Sequence, residues 1–156
     1  MPTFTLDTEI LAPIGRCFDL ARNVDLQTHS SHVPERAVAG KTTGLLELGD
    51  EVTWEARHFW KLQRLTARIV AMEYPRSFSV EMIKGAFVSH THDFAFSEGS
   101  DGSTTMFELF QFQSPFGFVG RIVDALVLTP YLKRFMLRRN AFLKEQAEMA
   151  SVVTGR

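Results

Sequence analysis

The sequence predicts an α+β fold, an antiparallel sheet curled around a long C-terminal helix. Two observations carry this. From Asp50 to Gln113 apolar residues recur at every second position, segment after segment, with short polar connections, as in an antiparallel meander. After Gln113 the apolar spacing becomes helical. One helix cannot cover a wide sheet, so the sheet must curl around it, and any space between them becomes a cavity walled by inward-facing side chains.

Each element has its own signal. Thr3 to Ile10 alternates, with Phe4, Leu6 and Ile10 on one side and Thr5, Asp7 and Glu9 on the other, a half-buried strand. Pro13 can open a short helix in which Ile14, Phe18 and Ala21 repeat at helical spacing. Val24 to Gly49 holds no sustained period and reads as loop, with room for a short helical piece and an edge strand. In the meander, Val52, Trp54, Ala56 and His58 share one side, then Leu65, Ala67 and Ile69, then Phe78, Val80 and Met82 after the turn EYPR. His90, His92, Phe94 and Phe96 follow on one face, the loop SEGSDGS marks a hairpin, and Thr104 to Gln113 closes the series. In the helical region Val119, Ile122, Val123 and Leu126 form one apolar stripe. Leu132, Phe135, Met136, Phe142 and Leu143 form another. Pro130 lies between them, where a kink or a break is expected because proline has no N–H to donate.

The chain of 156 residues suits a single domain over residues 1–150, with 151–156 as a disordered tail. Such a domain buries roughly 70% of its unfolded surface. The net charge of −1 gives no reason to expect nucleic acid or an anionic membrane as partner. The 14 phenylalanines either fill a thick core or line an apolar cavity. Cys17 stands alone, so no intrachain disulfide forms; it reads as a small packed residue of a reducing compartment. The start MPTFTLDTEI has no basic, apolar leader. The stretch from Phe116 to Leu128 is interrupted by Arg121 and Asp124 and falls short of the about 20 apolar residues of a membrane span. The expectation is a cytoplasmic protein with no integral membrane segment.

The histidine pair raises the question of chemistry. His90 and His92 could clamp one metal if His58 or Glu108 converged on them. The motif is only two histidines long and is flanked by phenylalanines, so the site is expected to be metal-free and to need no cofactor. If the Asp101–Gly102 turn pairs residues whose numbers sum to about 200, His92 faces Glu108 and Phe94 faces Met106. The carboxylate would then bond the imidazole, fix its tautomer and favour its charged form. His58 reads either as a ligand contact or as a hairpin-end residue near solvent, and His29 and His32 as solvated loop residues. No nucleophile, phosphate or dinucleotide motif occurs. The basic cluster Lys133, Arg134, Arg138, Arg139 and Lys144 reads as a solvated helix face. The alternative is that one arginine reaches the pocket to hold a ligand carboxylate.

The segments APIGRCFDLARNVDL, ERAVAGKTTGLLELGDEVTWEARHF, GAF followed by HTHDF, and SPFGFVGRIVDALVL resemble the START-like, or SRPBCC, superfamily, in its polyketide cyclase/dehydrase branch. The likeness covers nearly the whole chain, and HFW stands where the family pattern has HFG. It implies a helix-grip fold with an internal apolar cavity. Members bind lipids, sterols, polyketides or hormones; some are enzymes, and some relatives are labelled cell-division inhibitors.

Three functions are therefore expected in order. The first is binding of a small hydrophobic molecule, for transport or sensing, with Trp54, His58, Phe78, His90, His92, Phe94, Glu108, Phe110 and Phe112 around it. The second is a cyclase or dehydratase with His92 as general base and Glu108 orienting it. The third is a non-catalytic interaction protein.

Overall fold

Strand after strand, the alternating segments become one sheet. The structure, a computed structural model, describes residues 2–30 and 34–154. In chain order the elements are β1 (Thr3–Ile10), α1 (Ile14–Ala21), α2 (Val24–Ser30), β2 (Glu35–Gly40), β3 (Glu51–His58), β4 (Lys61–Glu73), β5 (Ser77–Lys84), β6 (Ser89–Glu98), β7 (Thr104–Gln113), α3 (Gly117–Val123), a π-helical turn (Asp124–Leu128) and α4 (Thr129–Thr154). The seven strands form one sheet in the order β1-β7-β6-β5-β4-β3-β2, all neighbours antiparallel. The unpatterned segment resolves into α2 and edge strand β2. His29 lies in α2 rather than in a loop, and His32 is outside the described residues. The backbone of α4 runs to Thr154, into the segment expected as a tail.

Register shifts in β4 against β5, around Thr66/Ala67 and Ile69/Ala71, and in β2 against β3, between Ala37 and Ala39, bend the strands as bulges do. The sheet curls, and α4 lies in its concave face. The inward positions are those the alternation named: Phe4, Leu6 and Ile10, Val52, Trp54 and Ala56, Ala67 and Ile69, Phe78, and Phe94 and Phe96 are all buried. Phe18, Phe78, Phe94, Phe96 and Met106 pack with Leu143 and Ala147 of α4. Phe4, Leu6, Phe110, Phe112 and Met136 form a second cluster. Cys17 is fully buried in the first, and burial raises its thiol pKa.

The C-terminal half of α4 is tied to the start of the chain. Arg16 Nε donates to the Ala147 carbonyl (3.2 Å), the Leu11 amide to Glu148 Oε1 (3.0 Å), and Lys144 Nζ to the Glu9 carbonyl (2.5 Å). The helix does not break at Pro130. The turn before it is wound to π spacing, with the Thr129 amide bonding the Asp124 carbonyl, and α4 continues through the proline. The slip in phase is absorbed by winding rather than by a new start.

One further expectation is corrected. In the β6–β7 hairpin His92 pairs with Phe110, Phe94 with Glu108 and Phe96 with Met106, two residues away from the expected register. Asp101 sits at the middle of the loop between Glu98 and Thr104, bonded to the Ser103 amide (3.1 Å), with Gly102 at φ 80°. A slip of two preserves the face on which each side chain lies. The stripe of Val119, Ile122, Val123 and Leu126 is exposed; the buried positions of that segment are Gly120 and Asp124.

Candidate functional site

Between the concave face of the sheet and α4 lies a cavity of about 670 Å³, within the range of small-molecule sites. Its apolar wall includes Trp54, Ile69, Phe78, Phe94 and Phe110 from the sheet and Leu132, Phe135 and Met136 from α4. His58, His90 and His92 also line it. The phenylalanines thus do both things open to them, since Phe18, Phe96 and Phe112 fill core while Phe78, Phe94 and Phe110 wall the cavity. Of the residues expected around a ligand, Glu108 and Phe112 do not line it. Phe112 is fully buried in the second core cluster, and Glu108 stands behind His92.

Glu108 is the hub of the polar end. His92 Nε2 lies 2.9 Å from its Oε1, Asn140 Nδ2 donates to its Oε2, and Arg139 NH2 lies 3.5 Å from Oε1. A carboxylate only accepts, so His92 carries its proton on Nε2 and presents Nδ1 as an acceptor. The two-residue slip makes this contact diagonal rather than directly cross-strand. Burial would raise the Glu108 pKa, but the His92 hydrogen bond and the Arg139 charge outweigh it and hold the group below its ordinary value. Burial lowers the His92 pKa and outweighs the opposing pull of Glu108. The imidazole is therefore held neutral: Glu108 does favour its charged form, as expected, but burial outweighs it.

Around this hub several polar atoms are left over. Both ring nitrogens of His90, Glu35 Oε2 and Arg139 NH2 are buried without a hydrogen bond, and all three residues line the cavity. Burial pushes His90 down to about 3, helped by His92 and Arg139, so it too is neutral. Its ring lies 4.4 Å from that of Phe110. Burial pushes Glu35 up to about 7, against the pull of Arg139. Buried polar groups are normally paired; here those that His90, Glu35 and Arg139 leave without a hydrogen bond gather in one cavity. At the other end His58 Nδ1 and the Tyr131 hydroxyl are hydrogen-bonded at 2.6 Å, and burial lowers the His58 pKa. Among the described residues no group of three or more His, Cys, Asp or Glu is placed to hold a metal.

Glu35 and Asn140 escaped the sequence reading, and Arg139 was expected first on a solvated face. Arg139 lies four residues after Phe135, three after Met136 and four before Leu143, so helical spacing alone puts it on the core side. Asn140 shares that side. Glu35 carried no such signal, because ERAVAG does not alternate.

No protein-family model matches the sequence, and no curated protein matches it. Solved structures do. The chain superposes on TTHA0849 from Thermus thermophilus with a TM-score of 0.77 at 16% identity, over 96% of this chain and 99% of that one. It matches a START superfamily protein from Mycobacterium smegmatis with a TM-score of 0.70 at 8% identity, over 95% and 98%. It also matches the di-domain ARO/CYC StfQ from the steffimycin biosynthetic pathway, with a TM-score of 0.66 at 12% identity, over 95% of this chain and 45% of that one. At these identities the likeness is one of fold. The chain has the START-like helix-grip fold.

Proposed function

We propose that the chain binds a small apolar molecule with one polar end, for transport or sensing. One observation carries this reading: a cavity of about 670 Å³ with apolar walls, into which His90, Glu35 and Arg139 bring polar atoms that have no hydrogen bond, Arg139 NH2 being within ion-pair distance of Glu108. Arg139 would donate to an oxygen of the ligand. Neutral His90 would donate from one nitrogen and accept at the other, and Glu35 would give or take a proton near neutrality. The phenylalanine walls would hold the body.

A second reading has its own support in the His92–Glu108 pair. A neutral imidazole held in one tautomer at the cavity wall suits a general base, as in a cyclase or dehydratase acting on a polyketide-like substrate. The ARO/CYC protein of like fold is consistent with it.

Native mass spectrometry of protein purified from its source, with extraction of any bound lipid, tests both. A stoichiometric co-purifying molecule supports binding, and turnover of an aromatic polyketide, lost in His92→Ala, supports the enzyme. Protein that is empty and binds no apolar probe overturns the leading reading and favours a non-catalytic interaction protein.

A further inference from the structure

The helical segment after β7 is amphipathic with its sides reversed. Its buried positions are Gly120 and Asp124, one turn apart, while Phe118 and Leu126 are 76% and 73% exposed. Facing it, the β3–β4 hairpin ends on Phe59 and Trp60, both with positive φ, 51° and 63°. Bulky residues in left-handed backbone are strained. Trp60 recovers nothing by burial, being 92% exposed. The Phe59 ring lies 4.6 Å from that of Tyr131, so the hairpin tip meets the start of α4. Phe59, Leu62 and Phe116 are exposed and also line the cavity. The two apolar groups therefore flank its mouth.

Charge is distributed unevenly around this mouth. Lys61, Arg121, Lys133, Arg134 and Arg138 are exposed, and none of them is in an ion pair among the described residues. The one acid within residues 57–64 and 114–139 is Asp124, which is buried. Lys133 and Arg134 continue, at helical spacing, the outward face of Leu126 and Pro130. The net charge of −1 conceals this local excess.

We propose that the mouth of the cavity docks on an anionic lipid bilayer. Trp60 and the rings of Phe116 and Phe118 enter the headgroup region, and the lysines and arginines meet the lipid phosphates. A bilayer with acidic headgroups supplies an apolar layer and opposite charge together. A second copy does not. A two-fold contact through this face would set basic residues against basic residues with no exposed acid to answer them. Docking would open the cavity toward the acyl chains, so an apolar molecule could pass between membrane and protein without crossing water.

The test uses the full chain with vesicles of phosphatidylcholine alone or mixed with phosphatidylglycerol, read by co-sedimentation and tryptophan emission. Trp54 is already buried, so a blue shift reports Trp60. Expected are binding to the mixed vesicles with a blue shift, and weakening by salt. Replacing Lys133 and Arg134 together by Ala should weaken binding by roughly thirtyfold. Trp60→Ser should keep the fold, bind more weakly and lose the shift. No binding to the mixed vesicles, or equal binding to neutral ones, overturns the proposal. A lipid-free dimer with a blue-shifted Trp60, dissociated by Trp60→Ser, also overturns it and assigns the face to a second copy.

Discussion

Replacing Glu35 by Gln should stabilise the protein at alkaline pH and leave it little changed in acid. The unfolded chain releases the Glu35 proton at 4.5, the folded chain only at about 7. Between those values the folded state keeps a proton that the unfolded state has lost, so rising pH favours unfolding. The penalty is absent below 4.5, grows through the interval and is complete above about 7. At about 1.4 kcal/mol for each tenfold change in proton affinity, the full interval corresponds to about 3 kcal/mol. Glu35 retains partial solvent exposure, and screening reduces this to about 2 kcal/mol. Glutamine has a similar shape and does not titrate. Urea unfolding of both proteins at pH 4.5, 6 and 8 measures the difference directly. The Glu35→Gln advantage should grow by about 2 kcal/mol from the first pH to the last. A difference that stays flat with pH would refute the assignment of a buried, proton-holding carboxyl at this position.

Glu108→Gln should lower the His92 pKa further below its ordinary value, because Glu108 is the group that raises it; NMR titration of the imidazole reads this, and an unchanged value means the two residues do not meet. The same substitution leaves Arg139 and Asn140 facing an uncharged partner, and chemical denaturation should show a loss of about 3 kcal/mol. Elemental analysis should find no stoichiometric zinc or iron; a metal present in the wild type and lost in His90→Ala would overturn the metal-free reading of the site. Phe18→Ala, in the first core cluster, should cost about 3–5 kcal/mol, whereas Phe118→Ala, at an exposed ring, should stay within about 0.5 kcal/mol.

Strand faces were legible in the sequence because burial imposes a period of two, and the inward residues from Phe4 to Phe96 follow it. Register was not. It depends on where the β6–β7 loop has its middle, and that is set by the Asp101–Ser103 bonds and the positive φ of Gly102, which leave no periodic trace. The candidate site survived the slip because a shift of two keeps His92 and Glu108 on one face. Helical stripes were legible as stripes but not as buried or bare. An apolar row reads the same whether it meets a core or solvent, so the stripe of Val119, Ile122, Val123 and Leu126 gave no sign that it is exposed. Edge strand β2 pairs with one neighbour through a register shift. No alternation marked Glu35, although it supplies the cavity's titratable carboxyl.

Helix α4 is a beam built in at one end. Arg16, Leu11 and Lys144 fasten its far half to the start of the chain, and Leu143 and Ala147 are sunk in the main core. The near end rests on the His58–Tyr131 hydrogen bond, the Phe59 ring contact and the packing of Leu132 and Phe135 against the second cluster. A beam fixed in this way deflects most at the end away from its anchorage, so on the proposed function a bulkier guest would be accommodated toward Tyr131. Arg139 and Asn140, closer to the anchorage, hold their positions against Glu108. Guests that differ in their apolar bodies would thus present their polar groups to one fixed reference point.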